Sequence, residues 1–119
     1  MNNYLLDTNS IIYAFNDSFR FPRNNYFISI ITEIELLSYH KLTSNEEHIL
    51  KQALSNFNLI NLTDSIKNTT IKIRKKYNLK LPDSIIMATA LVQNATLVTS
   101  DKKLLNLDFL NTVEYKDII

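Results

Sequence analysis

The chain has 119 residues, 45% apolar and 21% charged, enough for one domain around a buried core and without any apolar run long enough to span a membrane. A net charge of +1 gives no overall nucleic-acid footprint, and the lack of cysteine excludes disulfides, thiolate chemistry and Cys-ligated zinc. Glycine is absent as well, which rules out the Gly-rich phosphate loops of P-loop and dinucleotide-binding proteins.

The sequence opens on the strand-like Tyr4-Leu5-Leu6 without a basic leader, so no secretory signal is expected and the cytoplasm is the expected location. Residues 3–6 form the expected first strand, followed by a helix over 9–16 and a polar loop over 17–25 that carries Pro22. A second strand is expected over 26–30, apolar and β-branched. A helix over 32–41 should turn Ile34, Leu36 and Leu37 inward. Ser44-Asn45-Glu46-Glu47 reads as a helix start, and Ile49, Leu50, Ala53, Leu54 and Phe57 continue at helical spacing. A short strand over 59–62 comes next. Thr63 or Asp64 then caps a helix reaching Tyr77, with Ile66, Thr70, Ile73 and Tyr77 on its inner face. An apolar helix over 83–93, a strand over 96–99, a short helix over 102–107 and a last strand over 113–115 complete the order. Asn78 and Asn94 stand where a glycine normally ends a helix, and asparagine is the next best residue at positive φ. Strands alternating with helices in a single unit, residues 1–119, predict an α/β fold with a parallel sheet covered on both faces.

Four acids mark the handovers between these elements: Asp7, Glu35, Asp83 and Asp101. Each has an ordinary explanation. Asp7, Asp83 and Asp101 stand where helix N-caps belong, and Thr32-x-x-Glu35 is the pattern of a capping box. The alternative is a shared site. Asp7 follows two leucines and Asp101 follows Leu97-Val98-Thr99, both at the ends of continuously apolar strands of the central type. If those strands are neighbours, their carboxylates meet at the sheet edge where α/β folds bind ligands. Two like charges about 4 Å apart repel by roughly 4 kcal/mol at an effective dielectric near 20. Mg²⁺ or Mn²⁺, which prefer carboxylate and water oxygens, reverse that sign.

Leu5-Leu6-Asp7-Thr8-Asn9, Thr32-x-x-Glu35-Leu36, Leu81-Pro82-Asp83-Ser84-x-x-x-Ala88-x-Ala90 and Leu97-Val98-Thr99-x-Asp101 resemble, in order and spacing, the motifs of PIN-domain ribonucleases. The small VapC-type toxins of prokaryotic toxin–antitoxin pairs are the most similar branch. The resemblance runs from Leu5 to about Leu105. It implies a three-layer α/β/α sandwich on a sheet of about five parallel strands. It also implies that Asp7, Glu35, Asp83 and Asp101 are the catalytic, metal-binding cluster. Thr8 and Asn9 match the polar pair after the first acid, with Asn9 steadying the Asp7 carboxylate, and Thr99 matches a hydroxyl beside the last acid. Ser100 replaces a common Asn, and Lys102, Lys103 and Leu104 replace an acid and an aromatic, so Asp101 is the least secure of the set.

The implied chemistry is phosphodiester hydrolysis in RNA, with Mg²⁺ or Mn²⁺ activating water and offsetting transition-state charge. Arg74, Lys75, Lys76, Lys80 and Lys102 are candidate RNA contacts, with Lys72, Lys103, Arg20 and Arg23 as further cations. His40 and His48 lie away from the motifs and are expected at the surface. The resemblance further implies a homodimer and a small VapB-type antitoxin covering the acidic pocket, for which Tyr13, Phe15, Phe19 and Phe21 are surface candidates. The competing interpretation is a PIN-like module that holds RNA or protein without cutting it. Its mark would be a missing acid. A receiver-type domain wants adjacent acids and a late lysine, and a haloacid-dehalogenase-like phosphatase wants Asp-x-Asp; Asp7-Thr8-Asn9 supplies neither.

Overall fold

The computed structural model describes residues 1–105 and 107–119. Its centre is β1 (Asn3–Leu6), flanked by β2 (Asn25–Ser29) and β4 (Thr96–Val98). β3 (Asn58–Ile60) and β5 (Thr112–Val113) form the edges, giving a five-stranded parallel sheet in the order β3-β2-β1-β4-β5.

Alternation along β1 fills both sides of this sheet, because successive side chains of a strand point to opposite faces. Leu5 packs with Ile66, Ile73, Met87 and Leu97 beneath α4 (Asp64–Lys76) and α5 (Leu81–Val92). Tyr4 and Leu6 pack with Ile11, Ala14, Leu36 and Leu54 beneath α1 (Thr8–Asn16), α2 (Ile30–Leu37) and α3 (Ser44–Leu54). The result is the expected three-layer α/β/α sandwich. α5 is buried continuously from Ser84 to Ala90, and its hydroxyls find partners within the helix. Ser84 donates to the Lys80 carbonyl at 2.8 Å and Thr89 to the Ile85 carbonyl at 2.7 Å. No helix among the described residues is long and apolar enough to cross a membrane.

Several boundaries differ from the sequence expectation. β2 ends one residue early because the Ser29 side chain accepts from the Ile31 N–H and starts α2 there. Thr32 therefore lies inside the helix and is fully buried, so Thr32-x-x-Glu35 is not a capping box. Thr32 and Leu36, four apart, face the sheet; Ile34, two positions on, turns to solvent at 52% exposure. Leu37 is half-buried as the last residue of α2, and His40 falls in a turn beyond the helix. β3 is shorter than 59–62, Phe57 lies past the end of α3, and α6 (Lys102–Leu105) is shorter than 102–107, where Asn106 lies outside the described residues. The last strand ends at Val113, and Tyr115 enters a 3₁₀ turn (Tyr115–Asp117).

Helix exits without glycine take two forms. Asn94 adopts φ 52 after α5, with its N–H bonded to the Leu91 carbonyl and the Ala95 N–H to the Ala90 carbonyl. Ser18 does the same after α1 at φ 51, with bonds from Ser18 N–H to Phe15 and from Phe19 N–H to Ala14. Both are Schellman closures that want a residue free of the Cβ clash. Asn78 does not share this conformation, because Tyr77 ends α4 in an extended geometry instead. Ser18→Gly is expected to stabilise the fold by about 1 kcal/mol, since the left-handed cost of an L-residue disappears. Urea titration against wild type checks the shift in midpoint.

Candidate active site

In the order β3-β2-β1-β4-β5, the chain runs outward from β1 in one direction and later fills β4 and β5 on the other side. The gap beyond the carboxyl ends of β1 and β4 is thus the switch point where an α/β sheet opens a crevice. Asp7 follows β1 directly, and Asp101 follows β4 after Thr99 and Ser100. Glu35 on α2 and Asp83 in the first turn of α5 enter from opposite layers. All four acids line one hollow of about 270 Å³.

Each acid is held differently. Asp7 is 8% exposed and caps α1, its Oδ1 accepting the Ser10 N–H at 2.8 Å. That bond, rather than one from Asn9, steadies the carboxylate; Asn9 lines the hollow as an exposed residue. The Asp7 N–H donates to the Val98 carbonyl at 3.1 Å, so the backbone ladder runs up to the site. Glu35 Oε1 accepts the Thr8 hydroxyl at 2.7 Å, and Thr8 Oγ1 lies 3.3 Å from Thr32 Oγ1. Thr8 thereby ties the start of α1 to the inner face of α2. Asp101 Oδ1 accepts the Lys103 N–H at 2.9 Å and caps α6. Thr99 is fully buried and accepts the Asp101 N–H at 3.1 Å, so it shapes the turn and leaves the pocket wall to Ser100. Asp83 is not a cap at all, since Lys80 holds that position and Pro82 fills the first turn.

The site carries uncompensated negative charge. The two ion pairs among the described residues, Lys51–Glu47 at 3.9 Å and Lys67–Asp64 at 3.5 Å, are local to α3 and α4. Burial pushes the Asp83 carboxyl above the usual carboxylate range, and the charges of Asp101, Asp7 and Glu35 push it further; Lys80 opposes them. An all-oxygen donor set in a pocket short of positive charge suits a hard divalent cation. Among the described residues, no three acidic or histidine side chains are drawn together closely enough to grip an ion as they stand.

Of the expected cations, Lys80 is the one whose charge acts on Asp83. Arg74 and Lys75 line a separate surface dip with Asn78 and Leu79, and Lys102 is exposed at the start of α6. His40 and His48 are exposed, as anticipated. The aromatic set divides: Tyr13 and Phe15 are exposed, whereas Phe19 and Phe21 pack against the core on the α1 side. Tyr13 and Ile86 also line the acidic hollow, which no motif indicated. Tyr13 lies six residues after Asp7, which is not a whole number of helical turns, so no spacing signal tied it to the acid.

A model of the PIN domain matches residues 4–110, and the chain belongs to the PIN-domain family. Among solved structures it is similar to a toxin–antitoxin complex from Klebsiella pneumoniae, at 32% identity and TM-score 0.78 over 92% of this chain and 95% of that one. It is also similar to VapBC2 from Rickettsia felis bound to a DNA fragment from their promoter, at 24% identity and TM-score 0.81 over 95% and 98%. VapBC-1 from nontypeable Haemophilus influenzae gives 24% identity and TM-score 0.75 over 96% and 98%. The latter two bear on the fold alone. No curated protein matches the chain.

A carboxyl whose pKa is raised in the folded state makes that state bind its proton more tightly than the unfolded chain does. Stability is then lost as pH rises through the raised value and regained as pH falls toward the ordinary one. In EDTA, Asp83→Asn should therefore melt above wild type at pH 8, with the gap closing as pH approaches about 4. Equal melting temperatures across that range would show that the acids do not strain the fold.

Proposed function

We propose that the chain is a divalent-metal-dependent endoribonuclease and the toxin of a toxin–antitoxin pair. The observation that carries this reading is the convergence of Asp7, Glu35, Asp83 and Asp101, from four separate elements, on one hollow at the sheet's switch point. Membership of the PIN-domain family and the likeness to a toxin–antitoxin complex support it.

Asp7 and Asp83 would hold Mg²⁺ or Mn²⁺ directly, with Asp101 completing the set directly or through water. A bound ion supplies Lewis-acid help to the scissile phosphate and a more acidic water. Asp7 is held in its rotamer by the Ser10 N–H and so presents a fixed carboxylate to the pocket. Glu35, oriented by the Thr8 hydroxyl, keeps one carboxylate oxygen free to accept a proton from the attacking water. Lys80, whose charge acts on Asp83, would offset phosphate charge. Thr8 and Asn9 shape the wall between Asp7 and Glu35, and Thr99 holds the turn that aims Asp101.

The antitoxin belongs to the same reading. An apolar groove of about 480 Å³, lined by Ile12, Phe15, Tyr39, Leu42 and Leu50, runs beside the acidic hollow and shares Thr8 and Glu35 with it. A partner segment seated there would cover the acids. The toxin would act in the cytoplasm as a homodimer, to which the exposed Ile71, Leu91 and Val92 offer apolar surface.

Asp7→Asn is expected to lower Mg²⁺- or Mn²⁺-dependent RNA cleavage by at least about a hundredfold without loss of fold. Gel assays of single-stranded RNA, with circular dichroism as the folding control, make the comparison. EDTA should stop wild-type cleavage, and cleavage that survives EDTA rules out the metal role. Mg²⁺ or Mn²⁺ should also raise the wild-type melting temperature and leave that of Asp7→Asn nearly unmoved.

A further inference from the structure

Beside the acidic hollow lies a second one of about 420 Å³, formed where the end of α1 meets the segment after β5. Tyr13 and Ser100 line both, so the two are one continuous surface. Tyr13 is 47% exposed and belongs to none of the aromatic pairs among the described residues, which leaves a ring face open at the junction.

The far wall is polar and held in place. Tyr115, 5% exposed, donates its hydroxyl to Asp17 across 98 residues of sequence, fastening the turn after β5 to the end of α1. That bond holds the Tyr115 phenol up to about 12, so it stays a donor at any working pH. It also uses one Asp17 oxygen. Glu114 is different: it occupies the N-cap position of the 3₁₀ turn, yet its carboxylate makes no capping bond and no ion pair among the described residues. Lys116 is exposed beside it, with Nζ 5.8 Å from the Tyr115 ring centre.

We propose that this hollow is a nucleobase subsite next to the acidic site, in which Tyr13 stacks the base and Glu114 selects guanine. The proposal rests on the ribonuclease reading and deepens it. Sequence-selective RNA recognition works by splaying a base out, stacking it on an aromatic ring and reading its hydrogen-bonding edge. A free carboxylate only accepts, and guanine alone among the four bases offers two adjacent N–H donors on its Watson–Crick edge. The Asn16 amide supplies a donor for the guanine carbonyl, and Lys116 is the lining cation that can meet the flanking phosphate.

The test is cleavage of a randomised single-stranded RNA pool in Mg²⁺ or Mn²⁺, with cut sites mapped by sequencing. Wild type should show guanine enriched at one position beside the cut. Glu114→Gln should reduce that enrichment by at least about fivefold, because one acceptor of the bidentate pair becomes a donor. Tyr13→Ala should raise KM roughly tenfold through lost stacking, and Tyr13→Phe should restore it. Both positions are exposed, and melting curves serve as the folding control. Cleavage with the same base preference in Glu114→Gln and the same KM in Tyr13→Ala overturns the subsite and leaves the ribonuclease reading standing. Enrichment of another base overturns the guanine assignment. Absence of any wild-type cleavage sinks the ribonuclease reading and the subsite with it. If Tyr13→Ala weakens only antitoxin binding, the surface is a protein contact and the proposal fails.

Discussion

Everything in this molecule is arranged around a strand four residues long. β1 has a hydrogen-bonded partner on each side, puts Leu5 into one core and Tyr4 and Leu6 into the other, and ends at Asp7. The cost of placing a carboxylate at the end of a buried strand is met in two ways. A backbone N–H from the next helix binds it, and an open crevice keeps it near water. The other acids arrive from elements that lean on the same strand or its neighbours, so the core determines how closely the charges approach. Burial first, and then their repulsion, push the Asp83 carboxyl above the usual carboxylate range.

The choice posed by the sequence, cap or site, turns out not to be exclusive. Asp7 and Asp101 cap helices with one oxygen while lining the hollow. Capping fixes the side chain's rotamer, which is the preorganisation a catalytic ligand needs. Asp83 and Glu35 do no capping. Asp83 is placed by the first turn of α5, and Glu35 is oriented by the Thr8 hydroxyl.

The layers, the sheet and the gathering of the four acids were legible because they rest on strong local signals: apolar runs, helical spacing and an acid at the end of each. Details that depend on competition between neighbours were not. Ser29 outcompeted Thr32 for the start of α2, which moved the helix and exposed Ile34. Ser18 takes a left-handed position after α1 that no glycine or asparagine marks, and Asn78 does not take the one expected after α4, where Tyr77 ends the helix in an extended geometry. Tyr13 was picked out only as a surface aromatic, and Glu114 and Lys116 escaped notice, because the end of α1 and the segment after β5 are about a hundred positions apart in sequence and meet through Tyr115, its bond to Asp17 and its packing on Phe19. No periodicity encodes such a meeting.

The strand order also governs when the acidic hollow can exist. β1, at the middle of the sheet, gains its second neighbour only from β4, some ninety residues later, and the second hollow waits for Tyr115. Such distant pairings are slow to form and come late. On the ribosome, α1, α2 and α3 can be complete while Asp7 still has no Asp101 beside it and one edge of β1 lies open. A chain laid out this way has no assembled acidic hollow through most of its own synthesis.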